Sequence, residues 1–598
     1  MEQQSISRVR GEDEEEPRGT PDTEVVELYQ TPMERARMDG DFARLVPDND
    51  IAKMAFSDLI TFAKSTPEAD HSWYRLMYVN ETQEVSATEM GTSDEENTSK
   101  EHQLIWTGHY RLNLTEQFLP ELFGQYGIII GGGRQELRNE GVDLKLTNSK
   151  GRHRVRGRHA RLALSSDSNA WMLYVEPDKV VRFNGEPIKG TARHLSAPKT
   201  HLQFGILQYY FEYTGMSNIR YHDQLESLRK SNKLRGSMHK ALEATPTHNL
   251  TYLKRYVIHP PFAMGSYGVI SACVRSDGMP FAAKRVSRTK RSESEIANEI
   301  AMFEAVQGHV SIYDQLPSVN ELTLLSKPNT CTLIEVIETK SDVNESPIDD
   351  VYMIHSPLAD GSFDLLRLSD HQYEVRLDAF GKIVHGLNHI HSKGYMHRDV
   401  KPTNLLFCGP MSEPAVADFG QGTRERYSTD HTKGTIYYLA PEVLILKKES
   451  EILVLKNKIV ARKSDVKEEK SSNPELVKKE VELLELKKKM KQTGSKDMTG
   501  ISGQPYGPKV DVWSLGMAGY ELFFRGRGKL NMNLSAIQVH DLMLKSLKAS
   551  KLSAAPALCA MLSWDPDLRP TMDEVASWAI WPEASPLLDI TTRQKRSR

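Results

Sequence analysis

The chain has little cysteine: four residues in 598, Cys273, Cys331, Cys408 and Cys559. They are far apart and form no Cys-x-x-Cys pair, which excludes a disulfide framework and a cysteine zinc site and leaves reduced core thiols. No apolar run approaches the roughly eighteen residues a membrane helix needs. The first residues, MEQQSISRVRGEDEEEPRG, lack the apolar centre of a secretory signal. An intracellular protein is the expectation, with the nucleus favoured over the cytoplasm. Basic charge is not in excess either. With 77 Lys and Arg against 80 Asp and Glu the formal net charge is −3, so neither nucleic acid nor a membrane surface is an expected partner. No internal repeat is evident, and the length predicts two or three domains with linkers.

Composition divides the chain. Residues 1–100 carry acidic runs such as GEDEEEP and TSDEENTSKE, which predict a mostly disordered arm with one helix near DIAKMAFSDLITFAK. Over 101–215, short β-rich runs alternate with Gly and Asn turns, the pattern of an all-β sandwich. Residues 216–249 read as a helical linker. From 250 to 585 strands precede helices, so a small β-rich lobe should lead a larger helical one. Residues 446–497 hold 15 Lys and Arg against 10 Asp and Glu; the expectation is a solvated insert that loops out. Residues 586–598 form a basic tail.

The chemistry concentrates in YMHRDVKPTNLLF, Tyr395 to Phe407. There Asp399 can accept a proton from an attacking hydroxyl, Lys401 can neutralise a transferred group, and Asn404 can offer oxygen to a hard cation. Upstream, Gly265 and Gly268 sit between strand-like runs, where backbone amides can approach phosphates. Lys284 follows in PFAAKRV and Glu299 in EIANEIAMFEAV, fifteen residues later. Downstream, Asp418 in AVADFGQGT ends a short apolar strand, from which a carboxylate can reach a phosphate-bound metal. GTIYYLAPE, VDVWSLGMAGYELFF and DPDLRPTMDEV complete the order.

These ordered motifs, from Tyr252 to Trp581, resemble the protein kinase family. The resemblance implies a bilobal α+β fold using ATP and Mg2+, with Gly265 and Gly268 in the Gly-rich loop and Lys284 paired to Glu299. It further implies Asp399 as catalytic base, Asn404 and Asp418 as metal holders, an ion pair between Glu442 and Arg569, and a structural role for Asp511. Lys401 and Thr435 resemble the serine/threonine branch, so protein Ser/Thr acceptors are the implied substrates. Ala263 replaces the first loop glycine, and His355 falls at the predicted gatekeeper position. Arg398 is expected to be an unpaired cation awaiting a phosphate, with Thr432 and then Thr429 as activation-loop phosphosites.

In the β-rich region, IIIGGGRQELRN, GRHRVRGRHARLAL and VVRFNGEPI resemble a forkhead-associated (FHA) domain, a β-sandwich that binds phosphothreonine. Arg134 resembles the Arg of its Gly-Arg motif and His159 its structural His. Arg156 stands where the phosphate-binding Ser is expected, and Asn184-Gly185 stands for a shortened Asn-Gly loop. An FHA-like module ahead of a kinase is similar in arrangement to checkpoint and meiotic kinases. The alternative is a scaffold of kinase fold that binds phosphoproteins with little turnover.

Overall fold

The structure is a computed structural model, and it describes residues 40–67, 71–86, 102–120, 123–133, 141–165, 168, 170–231, 242, 250–265, 268–290, 292–307, 329–339, 350–368, 373–407, 414–463, 473–492, 504–524 and 534–581. Two compact units divide the chain, one of residues 1–237 and 243–248, the other of 238–242 and 249–598.

The described residues of the first unit include twelve strands: β1 (Asp41–Pro47), β2 (Met77–Ser86), β3 (His102–Asn113), β4 (Ile128–Gly133), β5 (Leu144–Lys145), β6 (Gly157–Leu164), β7 (Trp171–Val175), β8 (Val180–Phe183), β9 (Glu186–Lys189), β10 (Ala192–His194), β11 (Lys199–Phe204) and β12 (Leu207–Tyr213). They form a seven-stranded sheet ordered β2-β3-β1-β12-β11-β8-β9 and a five-stranded sheet ordered β10-β7-β6-β4-β5. The inner faces meet where Phe42 of β1 stacks on Trp171 of β7, ring centroids 4.6 Å apart.

The expected arm over 1–100 is corrected from residue 40 onward, because β1 is an interior strand with Phe42, Ala43 and Leu45 buried. Helix α1 (Asp50–Ser65) follows, matching the predicted helix within one residue. Asn49 caps its N-terminus by accepting the Ala52 amide at 3.1 Å. Its buried face is Ala52, Ala55, Phe56, Leu59, Ile60 and Ala63, a stripe at helical spacing. A second helix, α2 (Asn218–Lys230), lies in the expected linker but belongs to this unit. Tyr221, Leu225 and Leu228 are buried, and the Trp171 indole donates to the Tyr221 hydroxyl at 2.6 Å. The unit is therefore not all-β: the helices expected in the arm and in the linker both belong to it. Residues 1–39 and the tail at 586–598 lie outside the described residues.

The second unit opens with a six-stranded sheet ordered β13-β14-β15-β16-β18-β17. Its strands are β13 (Thr251–Leu253), β14 (Tyr256–Gly265), β15 (Gly268–Arg275), β16 (Pro280–Ser287), β17 (Thr332–Glu338) and β18 (Asp350–Ser356). Tyr256, Ile258, Cys273, Phe281, Ala283, Ile337, Tyr352 and Ile354 pack its apolar centre. Helix α3 (Ser292–Gln307) follows β16, and the larger part is helical, with α4 (Tyr373–Ser392), α5 (Pro441–Lys463), α6 (Pro474–Gln492), α7 (Lys509–Phe523) and α8 (Ala536–Lys548). Strands before helices is the expected order, and a bilobal kinase fold fits it.

The charged insert differs from its expectation. Residues from 446 on continue α5, and α6 packs along α5 with Leu486 and Met490 buried in the main core. Several of its charges pair between the two helices: Lys448 with Glu482 at 2.6 Å, Lys479 with Glu451 at 2.6 Å, Lys456 with Glu480 at 2.8 Å and Lys487 with Glu449 at 2.5 Å. Lys489 bonds Asp541 at 2.7 Å and lies 4.5 Å from the Trp564 ring. Alternating Glu and Lys on two facing helices pair across them, while a narrow apolar stripe docks. The insert also walls a cavity of about 410 Å³ whose lining includes Tyr437, Leu486, Trp513, Ile537 and Trp564.

Candidate active site

Strand β16 and helix α3 set the first half of the site. Lys284 pairs on β16 with Met353 and Ile270 of the neighbouring strands, which fixes its direction. Its Nζ donates to Glu299 at 2.6 and 2.8 Å and to Asp418 at 3.1 Å. Lys284 and Glu299 are both buried. Burial alone would lower the Lys284 ammonium, but the Glu299 and Asp418 carboxylates outweigh it and hold its pKa above the ordinary lysine value. Burial likewise pushes Asp418 up, and Lys284 overcomes it, leaving that carboxyl below its usual range.

Hairpin β14–β15 closes at Gly265 opposite Gly268; its two tip residues lie outside the described set. Gly268 has φ +154°, and a Cβ there would lie 2.5 Å from the Arg285 carbonyl oxygen. The close approach of β16 thus requires glycine at 268.

The second half is the segment after α4. Lys401 Nζ donates to Asp399 Oδ2 at 2.7 Å and to the Thr435 hydroxyl at 3.0 Å. The Thr435 hydroxyl donates to Asp399 Oδ1 at 2.8 Å, and its amide to the same oxygen at 3.0 Å. Asn404 Nδ2 donates to the Asp399 carbonyl at 2.9 Å, so its side-chain oxygen is the end left for another partner. Arg398 and Asp418 each adopt φ +65°, a conformation that costs a non-glycine residue and is held by its surroundings. At Arg398 the holder is Asp511, whose carboxylate accepts the His397 and Arg398 amides at 2.8 Å each and faces His391 Nε2 at 2.9 Å. Glu442 and Arg569 pair in bidentate fashion at 2.8 and 3.1 Å.

His355 lies on β18 opposite Ala282, its ring 4.9 Å from Phe303. Among the described residues neither ring nitrogen has a hydrogen-bond partner. Burial, then the Lys284 charge, lowers its pKa to about 3, so it is neutral at physiological pH.

One sequence expectation is overturned. Arg398 is not an unpaired cation: it donates to the carbonyls of Gln421 and Gly422 at 2.6 and 3.3 Å, with Asp430 Oδ2 at 3.8 Å. Thr429 and Thr432 are exposed. Gln421 and Asp430 were not singled out in the sequence because no spacing relates 421 or 430 to 398.

In the first unit, Arg134 lies outside the described residues. Arg156 is exposed, next to the short helical turn Lys150–His153. His159 is buried and faces the Val180 carbonyl at 3.2 Å through Nε2. Asn184 and Gly185 close the β8–β9 hairpin with φ +47° and +88°. Val180 begins β8 and Asn184 follows its end, roughly 13 Å away at the usual rise per residue. The structure therefore does not bring Asn184-Gly185 to the His159 end.

Among the described residues no group of three or more His, Cys, Asp or Glu could hold a metal by itself. Asp418 with the Asn404 oxygen suits Mg2+ instead, which takes few protein ligands and shares substrate phosphates. No helix among the described residues is long and apolar enough to cross a membrane.

Residues 256–454 match the family model of the protein kinase domain. The chain is 27% identical over 288 residues to the serine/threonine-protein kinase MAK of Homo sapiens, covering 47% of this chain and 41% of that protein. It is 28% identical over 200 residues to the serine/threonine-protein kinase ksp1 of Schizosaccharomyces pombe, covering 32% and 38%. With the cysteine-rich receptor-like protein kinase 26 of Arabidopsis thaliana it shares 27% over 191 residues, covering 30% and 25%. The chain thus spans a quarter to two fifths of the length of these relatives. The matched stretch lies within the second unit and is similar to a protein kinase domain, a kind of domain that in general uses ATP and Mg2+.

Proposed function

We propose that the chain is an ATP-dependent serine/threonine protein kinase. The observation that carries this reading is the Asp399 carboxylate, bonded by Lys401 and by the hydroxyl of Thr435, within a unit that also assembles Lys284, Glu299 and Asp418. The Thr435 contact is the one a substrate Ser or Thr hydroxyl would make. In this reading Asp399 accepts the proton of the acceptor hydroxyl, and Lys401 stabilises charge gathering on the transferred phosphoryl group. Lys284, held by Glu299, orients the nucleotide phosphates under the hairpin bearing Gly265 and Gly268. Asn404 and Asp418 hold Mg2+, which neutralises phosphate charge. Catalysis here is positioning and charge stabilisation.

Transfer of radiolabelled phosphate from ATP to dephosphorylated casein tests the reading. Asp399→Asn should fold with an unchanged circular dichroism spectrum and lose about 100-fold or more in rate, the usual worth of a positioned base. Equal low signal from both proteins would favour the catalytically weak scaffold.

The first unit, in this proposal, is an FHA-like recruitment module for phosphothreonine proteins, placing the kinase in checkpoint or DNA-damage signalling in the nucleus. Its support is the exposed basic run Arg152, Arg154 and Arg156, since arginine grips phosphate bidentately. Arg156→Ala in the full chain should weaken phosphothreonine-peptide binding by fluorescence polarisation about tenfold or more, a charge-assisted contact, while leaving the melting temperature unchanged. Absence of any preference for phosphorylated peptides in the unaltered chain would remove the recruitment role.

A further inference from the structure

The segment from Phe419 to Thr435 is tied down by the protein's own groups. Arg398 is nine-tenths buried at its side chain and reaches three points of it: the Gln421 and Gly422 carbonyls and, at 3.5 Å, the Ser428 hydroxyl. Asp430 Oδ2 stands 3.8 Å from the same guanidinium, supplying its anionic partner. The other Asp430 oxygen accepts the Thr432 amide at 3.0 Å and hydroxyl at 2.5 Å, and the Asp430 carbonyl accepts the Tyr506 hydroxyl at 2.6 Å. Ser428 and Tyr506 exchange backbone bonds at 2.9 and 2.8 Å.

This knot connects to both halves of the site. Gln421 Oε1 accepts the Gly434 amide at 2.7 Å, next to Thr435, which bonds Asp399. Gly434 has φ +89°, and a Cβ there would lie 2.8 Å from the Arg398 carbonyl oxygen, so the segment passes directly over Arg398. On the other side, Lys433 pairs with Glu295 at 3.6 Å and Asn298 donates to the Gly422 carbonyl at 3.0 Å. Both partners lie on α3, Glu295 one turn before Glu299 and Asn298 next to it.

We propose that Asp430 is a positioning residue that gives Arg398 its permanent counter-charge, so that segment 419–435 holds Asp399, Asp418 and α3 in their working arrangement without phosphorylation. A phosphate on Thr432 would remove the hydroxyl that donates to Asp430 and set a second anion against its carboxylate, which opposes the knot. The catalytic part of this inference rests on the kinase reading; the clamp itself does not.

Two measurements on the full chain test it, after phosphatase treatment and with intact mass confirming no phosphate. In hydrogen exchange, Asp430→Asn should speed exchange of amides 428–434 about tenfold or more, and Asp430→Glu should restore most of the protection. Identical exchange in wild type and Asp430→Asn overturns the clamp. In casein phosphorylation, the phosphate-free wild type should stay active, while Asp430→Asn loses about tenfold or more in kcat with KM for ATP nearly unchanged. Loss of wild-type transfer on phosphatase treatment, regained only with phosphate on Thr429 or Thr432, overturns the proposal. If the wild type transfers nothing in either state yet the exchange responds, the clamp stands and the kinase reading fails.

Discussion

Lys284→Ala should nearly abolish phosphoryl transfer and also weaken the fold in a pH-dependent way. Among the described residues the ammonium is the cation bonded to both Glu299 and Asp418, so its loss removes a preorganised positive charge, worth on the order of 100-fold or more in rate. It also leaves two carboxylates facing each other in a buried site, a cost of about 3 to 5 kcal/mol when a buried pair loses one member. Burial already pushes the Glu299 carboxyl up against the pull of Lys284; with Lys284 gone that push is unopposed. A carboxyl whose pKa is raised in the folded state favours folding when protonated, and that contribution is lost as pH rises from the unfolded value through the folded one. The gap in urea stability between wild type and Lys284→Ala should therefore be widest near pH 8 and narrow as pH falls toward the carboxyl range. A gap that is constant or widens on acidification would show that Glu299 and Asp418 do not share this charge, and undiminished transfer would sink the role given to Lys284.

Removing the insert should unfold the second unit, although a solvated linker of the same charge pattern would be expendable. Leu486 and Met490 of α6 are buried in the main core, and Lys489 covers the Trp564 ring while bonding Asp541. Leu486→Ala should cost about 2 to 5 kcal/mol, the range for truncating a buried leucine. Replacing 446–497 by a short Gly/Ser linker should cost more, since it cuts away the later turns of α5 and the whole of α6. Urea titration followed by tryptophan fluorescence reads both, because Trp513 and Trp564 line the cavity that α6 walls. A midpoint unchanged by the replacement would restore the solvated-loop reading. The four Lys–Glu pairs across α5 and α6 should matter far less, each exposed pair contributing about 0 to 1 kcal/mol.

Much of the candidate site was legible because its parts are local. Lys284 and Glu299, or Asp399, Lys401 and Asn404, are separated by a strand, a helix turn or a tight loop, and such spacing fixes which side chains face one way. The pairing of Glu442 with Arg569, at 2.8 Å across 127 residues, was accessible only through the resemblance. The acidic first hundred residues misled over β1, though not over α1, because charge was weighed over the whole stretch, whereas β1 depends on a few buried apolar positions, Phe42, Ala43 and Leu45. The same error, in the opposite sense, made α6 look like a solvated loop: its eleven polar residues outvote the Leu486 and Met490 that dock it.

What the sequence by itself determined is the order of chemistry-bearing residues, the strand-then-helix plan of the second unit and the β-rich character of the first, all consequences of local period and short-range spacing. Only the tertiary structure decided which charges are satisfied. Arg398 faces Asp430 and not an empty site, and Lys489 is spent on Asp541. The reason is physical: a charge becomes a binding site or a structural tie according to which distant groups the fold packs against it, and those contacts are set by burial of apolar faces far along the chain, which carries no local trace.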